Sequence, residues 1–200
     1  MKSIVFAVAA LLAGSITYGQ STWALDKAHS KVGFTVTHML LSEVDGHFKA
    51  FDAKITSSKP DLSDAVFEFT GDVNSIDTGN EKRDSDLKSD KFFDAANYPT
   101  LTFKSTSFKK EADKKYKVTG DLTMHGVTKP VTLDVVMNGP ITNESPRGKQ
   151  EKVGFKMTST LKRSDFKVGT IPVAVVSEEV EIKANGEFTK QASATADAKK

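Results

Sequence analysis

The sequence predicts an all-β domain of eight or so antiparallel strands, closed as a barrel or packed as a sandwich, with one short helical segment. Three observations predict it. Apolar residues recur at every second position along most of the chain, the period of strands with one buried and one wet face. Turn and bulge pairs punctuate those runs. One stretch only, residues 74–99, loses the alternation. Periodicity alone does not separate a sandwich from a barrel.

The first residues carry a different signal. Lys2 precedes an unbroken apolar run from Ile4 to Ala13. A bilayer span needs roughly 20 apolar residues, so this run is too short to cross. A lone cation, a short apolar run and then small residues (Thr17, Gly19) form the pattern of a secretory signal. Residues 1–19 are therefore expected to be removed, leaving Gln20 or Ser21 first, with the mature protein in the periplasm or secreted.

The strands follow in order. Val32, Phe34, Val36 and His38 share one face; so do Phe51, Ala53 and Ile55; then Ala65, Phe67, Phe69, Gly71 and Val73. Leu101 and Phe103 come next, followed by Tyr116, Val118, Gly120, Leu122 and Met124, and by Val131, Leu133, Val135 and Met137. Val153, Phe155 and Met157, then Val180, Ile182, Ala184, Gly186 and Phe188, complete the series. Asp45-Gly46, Ser58-Lys59-Pro60-Asp61, His125-Gly126 and Asn138-Gly139-Pro140 read as turns or bulges, and Asn185-Gly186, inside an alternating run, as a bulge. Within 74–99, residues 80–90 are charged and helix-tolerant, with Asn80 or Thr78 as N-cap and Leu87, Phe92 and Phe93 pinning the helix as a lid. Residues 191–200 read as a disordered tail.

Composition excludes several function classes. There is no cysteine, so an exported domain here is held by its core alone. Losing Lys2 leaves 27 basic against 26 acidic residues, a net +1, without the clustered basic excess of a nucleic-acid binder. No metal or cofactor is expected: His29, His38 and His47 are nine apart, His125 is remote, and none shares a metal-ligand spacing. No catalytic constellation is found. Asp26, His29 and Ser30 are close in sequence, but neighbours on a strand face opposite ways, and there is no nucleophile elbow or phosphate-cradling loop.

Taken together, particular stretches resemble the YceI-like family. Trp23-Ala24-Leu25-Asp26 is followed by His29 to Phe34 and His38; Val44 to Phe48 contains a Gly-x-Phe element; Ser75-Ile76-Asp77-Thr78 leads into Arg83 to Ser89 and Phe92-Phe93-Asp94; Tyr98-Pro99 precedes Leu101 to Ser105. Gly120 to Val131 is the most specific stretch, and Arg163-Ser164-Asp165-Phe166 matches a late Arg-x-Asp-Phe element. The resemblance spans 23–188. It implies an eight-stranded antiparallel lipocalin-like barrel over residues 20–190 that holds a polyisoprenoid or other long-chain lipid. Two positions depart from the family: Asp86 stands where His is usual, and Lys167 where Gly is usual after the late Phe.

Eight-stranded barrels enclose just enough space for side chains or one small ligand. The inward set is apolar, and Ala53, Ala65, Gly71, Gly120 and Ala184 among the large residues leave room inside; a packed core remains the alternative. The expected lipid-lining residues are Val32, Phe34, Val36, His38, Phe51, Phe67, Phe69, Phe103, Val118, Leu122, Leu133, Phe155 and Ile182. Arg83 with Asp84 and Arg163 with Asp165 form local ion pairs or contact a head group. Burial yields about 0.8 kcal/mol per CH₂ against an association cost of at least about 4 kcal/mol. Ten buried carbons then give only roughly millimolar affinity, so a long chain is required. The expected function is non-enzymatic carriage of such a lipid by a monomer or homodimer, without nucleic acid or an integral membrane span. The rivals are an isomerase or cyclase of such lipids and a stress-related interaction protein with a filled barrel. Deleting residues 1–19 is expected to retain the protein in the cytoplasm, as read by cell fractionation; unaltered export of the truncated chain refutes the signal.

Overall fold

A computed structural model describes residues 19–145 and 148–192. The expected signal segment lies outside the described residues except for Gly19, as does the tail from 193 on. The backbone forms β1 (Ser21–His38), β2 (Ser42–Phe48), β3 (Phe51–Ser57), β4 (Val66–Asp72), β5 (Ile76–Asp77), α1 (Glu81–Lys88), β6 (Thr100–Ala112), β7 (Lys115–Met124), β8 (Val127–Ser145), β9 (Gly148–Lys162) and β10 (Glu179–Lys190). Short 3₁₀ turns follow β4 and β9.

Ten segments make eight staves. β1 pairs with β3 through Ser21–Ala24 and with β2 through Val32–His38, so β2 and β3 are one long strand interrupted at Lys49-Ala50. β4 pairs with β3, and β5 with β2, so the 3₁₀ turn at Val73–Ser75 interrupts the next stave in the same way. β6, β7, β8, β9 and β10 follow in antiparallel order, and β10 returns to β1. The chain is therefore a closed eight-stranded antiparallel barrel with one helix. Closure removes the unpaired edges that an open sheet leaves.

The turn signals separate on inspection. His125-Gly126 is a two-residue hairpin turn with positive φ at both positions, the geometry that right-twisted hairpins favour. Asn138-Gly139-Pro140 is a bulge within β8, whose pairing with β9 slips between Asn138 and Ile141. Asp45-Gly46, in contrast, is neither turn nor bulge. It lies within β2 opposite Thr35 and Phe34. The Thr35 hydroxyl donates to Asp45 Oδ1 at 2.6 Å, and the Phe34 ring fills the space a side chain at Gly46 needs.

Gly120 also differs from its reading as free space. A Cβ there meets Lys104 O at 2.4 Å and Ser105 Cα at 2.6 Å. β6 bulges at this level, its pairing with β7 slipping between Ser105 and Ser107. The backbone of β6 therefore presses on Gly120. The Ser105 hydroxyl accepts from Phe67 N at 2.9 Å, where the β4–β6 ladder stops, so the bulge leaves no buried donor orphaned there.

The barrel has two unlike halves. Toward the chain termini it is solid: Trp23, Ile55, Phe67, Val118, Val153, Phe155 and Phe188 are all buried. Phe67 meets Phe155 edge-on at 4.9 Å, and Phe155 meets Phe188 at 5.8 Å, the arrangement aromatic quadrupoles prefer. Lys190 and Gln191 close this end over β1, Gln191 N donating to Thr22 O at 2.8 Å, so the described chain extends two residues into the stretch expected to be tail. At the other end stand α1, capped by Asn80, whose side chain accepts from Arg83 N, and the segment after β9.

β1 and β10 pair throughout except at one bulge, where Lys27–Ser30 stand opposite Gly186. The bulge expected at Asn185-Gly186 is there, but the extra residues are on β1. Ser30 Oγ donates to Asp26 O at 2.6 Å and accepts from Glu187 N at 3.2 Å. His29 Nδ1 lies 2.9 Å from Asp26 Oδ2. The hydrogen bond and charge of Asp26 raise the His29 pKa, and the same hydrogen bond lowers that of Asp26.

Two expectations follow. Gly120→Ala destabilises the barrel by roughly 1–3 kcal/mol through overpacking, as measured by urea unfolding; a neutral result means the β6 bulge yields freely. In an NMR titration His29 protonates with a pKa above the ordinary value of about 6.5. Because the folded value is raised, the stabilisation lost in His29→Ala is full below about pH 6.5 and disappears as pH rises through the folded pKa. The Asp26 contribution has the opposite sense, present above its ordinary value and lost as pH falls through the depressed one. An unshifted His29 titration refutes the pair.

Candidate functional site

The inward faces of the upper staves surround a cavity of about 540 Å³, within the range of roughly 300–1,000 Å³ typical of small-molecule sites. Alternation places the walls. Val32, Phe34 and Val36 reach in from β1, Phe51 from β3, and Phe67 and Phe69 from β4. Phe103 contributes from β6, Val118 and Leu122 from β7, Leu133 from β8 and Ile182 from β10. His38 stands at the rim, exposed, at the end of β1. Phe155 is the exception among the expected lining residues: it points inward but is sealed beneath the floor by Phe67 and Phe188, both of which touch the cavity. Packed core and pocket, alternatives in sequence, thus occupy different halves of one barrel.

Small residues do create part of the space. Ala53 and Ala184 border the cavity, whereas Ala65 is buried in the packed core and Gly120 is occupied by neighbouring backbone. β9 contributes Met157 and Leu161, and the segment after it contributes Val168, Ile171, Val175 and Val176. This last group was missed in sequence. Its signal was the unassigned apolar stretch Ile171–Val176, too irregular for a strand.

The lid side supplies polarity. Thr78, Asn80, Arg83 and Asp86 border the cavity mouth beside Leu87, Phe92 and Phe93. Phe93 N donates to Leu87 O at 3.0 Å and Ala95 N to Lys88 O at 2.9 Å, which ties the chain after α1 back onto the helix. Arg83 Nε donates to Thr78 Oγ1 at 2.7 Å and Nη2 to Thr78 O at 2.8 Å. Its Nη1 has no partner among the described residues and Nη2 uses one of its two N–H groups, so Arg83 retains three N–H donors at the mouth.

The other head-group candidates are placed differently. Asp84 does not pair with Arg83; its Oδ1 accepts from Thr78 N at 2.8 Å and Thr78 Oγ1 at 2.6 Å. Asp165 does not pair with Arg163; it meets Lys129 Nζ at 2.6 Å on the exterior, and this hydrogen bond lowers its pKa. Arg163 is buried at 7 % exposure and donates only to backbone carbonyls: Nε to Ser177 O, Nη1 to Val168 O and Gly169 O, Nη2 to Ile171 O and Val176 O. A guanidinium has five N–H donors, and all five are engaged. Arg163 borders the cavity without a free donor to offer and instead shapes the 168–177 segment. Lys167, where the resemblance has Gly, adopts φ 57°, a left-handed conformation that Gly enters at least cost.

One grouping of metal-ligand side chains occurs among the described residues: Asp26, His29 and Glu187, with ligand atoms within 4.8 Å of one another at the β1–β10 bulge. Spacing along a single strand does not reveal it, because Glu187 comes from the partner strand. Lys152 Nζ lies 2.5 Å from Glu187 Oε1, so one of the three candidate ligands already carries a cation partner. Ser30 bonds to Asp26 O and Glu187 N, not to His29, so the three neighbours in sequence do not form an activated nucleophile.

This architecture recurs in known proteins. The chain is 36% identical over 179 residues to "Protein YceI" of Salmonella newport, covering 88% of this chain and 91% of that one. Among solved structures, Burkholderia cenocepacia BcnA matches with a TM-score of 0.71 at 30% identity, over 82% of this chain and 98% of that one. A polyisoprenoid binding domain from Saccharophagus degradans shares the fold with a TM-score of 0.64 at 17% identity, over 84% and 98%. No described helix is long and apolar enough to cross a membrane. The YceI-like domain model matches residues 23–188, all but the two outermost residues at each end of the barrel, and the chain belongs to that family.

Proposed function

We propose that this protein is a non-enzymatic carrier of one long-chain isoprenoid or related lipid, exported to the periplasm or medium. The observation that carries the reading is a closed barrel whose upper half is an apolar-walled cavity, open beside α1, above a solid aromatic floor. The lipid chain lies along the barrel axis against Phe34, Phe69, Phe103 and Ile182. Its polar end stays at the mouth, where the spare N–H groups of Arg83 bind a phosphate or hydroxyl oxygen. The name of the Saccharophagus degradans domain supports the same ligand class.

Catalysis on such a lipid needs an acid or base held near the reacting carbon. The buried polar residues among those described are Thr35, Ser57, Ser105 and Arg163. None is a carboxylate or imidazole, and the Arg163 donors are all engaged. Of the carboxylates and imidazole that border the cavity, Glu68 is paired with Lys54 and Lys104, and Asp86 and His38 lie exposed at the mouth. The walls therefore support holding over converting.

Ala184 lies between Val32 on β1 and Met157 on β9 and borders the cavity, so its substitution tests occupancy directly. Wild-type protein purified after export and extracted into organic solvent is expected to release a long-chain lipid detectable by mass spectrometry. Ala184→Phe is expected to lose most of that lipid while unfolding within about 1 kcal/mol of wild type, because the ring enters space the ligand leaves. Lipid-free wild type, together with a loss of roughly 1–3 kcal/mol in the variant, overturns the carrier reading.

A further inference from the structure

The β1–β2 hairpin ends in the sequence His38-Met39-Leu40-Leu41. Leu41 N donates to His38 O at 3.0 Å, and Met39 and Leu40 have φ of 51° and 59°. This is a tight turn with both central residues left-handed, where Asn-Gly is the favoured pair. Met and Leu adopt that conformation at a cost. Their side chains gain no burial in return: Met39 is 54% exposed, Leu40 73% and Leu41 86%. Three consecutive exposed apolar residues at a loop tip run against ordinary surface composition unless they have a use.

The tip does not stand alone. Met39 N donates to Val175 O at 2.9 Å, and Ser177 N to Thr37 O at 2.9 Å. Thr37 N donates to Ser177 Oγ at 3.0 Å, and His38 bridges Val176. The hairpin and the 171–177 segment thus form one ledge, and the Arg163 guanidinium pins its second half through the Ile171, Val176 and Ser177 carbonyls. Val173 and Val175 add exposed apolar surface. The remaining exposed large apolar residues among those described, Tyr98, Val136 and Ile141, lie on other elements. Residues 168–177 contain no charged residue, and 36–42 none but the titratable His38. The ledge also borders the cavity: His38, Ile171, Val175 and Val176 all line it.

We propose that this ledge is a docking surface for a lipid bilayer, with Met39, Leu40 and Leu41 inserting among acyl chains so that a lipid passes between membrane and cavity. The proposal rests on the carrier reading for its purpose, not for its geometry. A narrow protruding tip suits a soft apolar medium that closes around it. The absence of Lys and Arg makes the attachment apolar, without reliance on acidic lipids. Lipid leaving the bilayer beside the rim reaches Val176 and the cavity wall without exposing its chain to water.

The test uses the mature full-length chain and the variant Met39→Asn/Leu40→Gly/Leu41→Ser, which installs residues this turn favours and so keeps the hairpin. Wild type is expected to float with pure phosphatidylcholine vesicles, equally at low and high salt. The variant is expected to bind them at least tenfold more weakly, with a melting temperature equal to or above wild type. With a pyrene-labelled polyprenol as probe, uptake from vesicles is expected to slow at least tenfold in the variant. Equilibrium binding of the same probe from detergent is expected to be unchanged. Failure of wild type to bind the probe from detergent overturns the carrier reading but leaves the vesicle result to stand. Equal flotation of both proteins, flotation of neither, or a wild-type dimer that the variant dissolves into monomers without any vesicle binding overturns the bilayer assignment.

Discussion

Trp23 stands opposite Lys190, and Thr35 opposite Glu181; between those pairs the first and last strands hydrogen-bond and the sheet becomes a cylinder. Everything else depends on this closure. Once β1 meets β10, each stave has an inside and an outside, and a side chain of the wrong parity is forced from core to solvent. Closure also limits the interior to the volume eight strands enclose. What the chain does with that volume is decided by side-chain size along each stave, and the two halves of the barrel decide it differently.

In the lower half the inward residues are large and interlock. Ile55 and Val118 are fully buried, and Trp23, Val153, Phe155 and Phe188 nearly so. Burying each such side chain contributes on the order of 1.5–3 kcal/mol, so this floor supplies much of the stability of a chain without disulfides. In the upper half the same alternation continues, but Ala53 and Ala184 interrupt the large residues, and the rings of Phe51 and Phe69 pair along the wall at 6.1 Å rather than crossing the axis. The division relieves a conflict. A cavity forfeits packing contacts, and a small barrel hollow throughout would have little left to hold it.

Much of this was legible in the sequence because closure imposes a strict period. The apolar residues expected to face inward do so, with His38 exposed at the rim, and of the two caps the sequence offers, Asn80 and Thr78, the helix at 81–88 uses Asn80. What escaped has a common cause. Asp45-Gly46 reads as a turn by composition, yet its glycine answers to a ring on the neighbouring strand. Gly120 reads as space, yet a bulge in β6 has already filled it. Arg163 and Asp165 read as partners, yet Arg163 spends its donors on carbonyls from 168 to 177 and Asp165 turns to Lys129. In each case the deciding contact is with backbone or with a distant element, and neither leaves a mark in local residue order.

Arg163 shows how far such a contact reaches. A buried cation without a carboxylate partner is costly, and five carbonyl acceptors offset that cost only if the 168–177 segment takes one conformation. The segment forms no strand beyond a single bridge from Val176 to His38, because the carbonyls of Val168, Gly169, Ile171, Val176 and Ser177 point at the guanidinium. It therefore lies across the barrel end, placing Ile171 and Val176 on the cavity and Val173 in solvent. The left-handed Lys167, whose N–H bonds back to Ser164 O at 3.0 Å, ends the preceding 3₁₀ turn and starts the chain along that path. The shape of the mouth follows from one side chain at the end of β9, which makes Arg163 an organiser of the opening rather than a hand extended to whatever enters it.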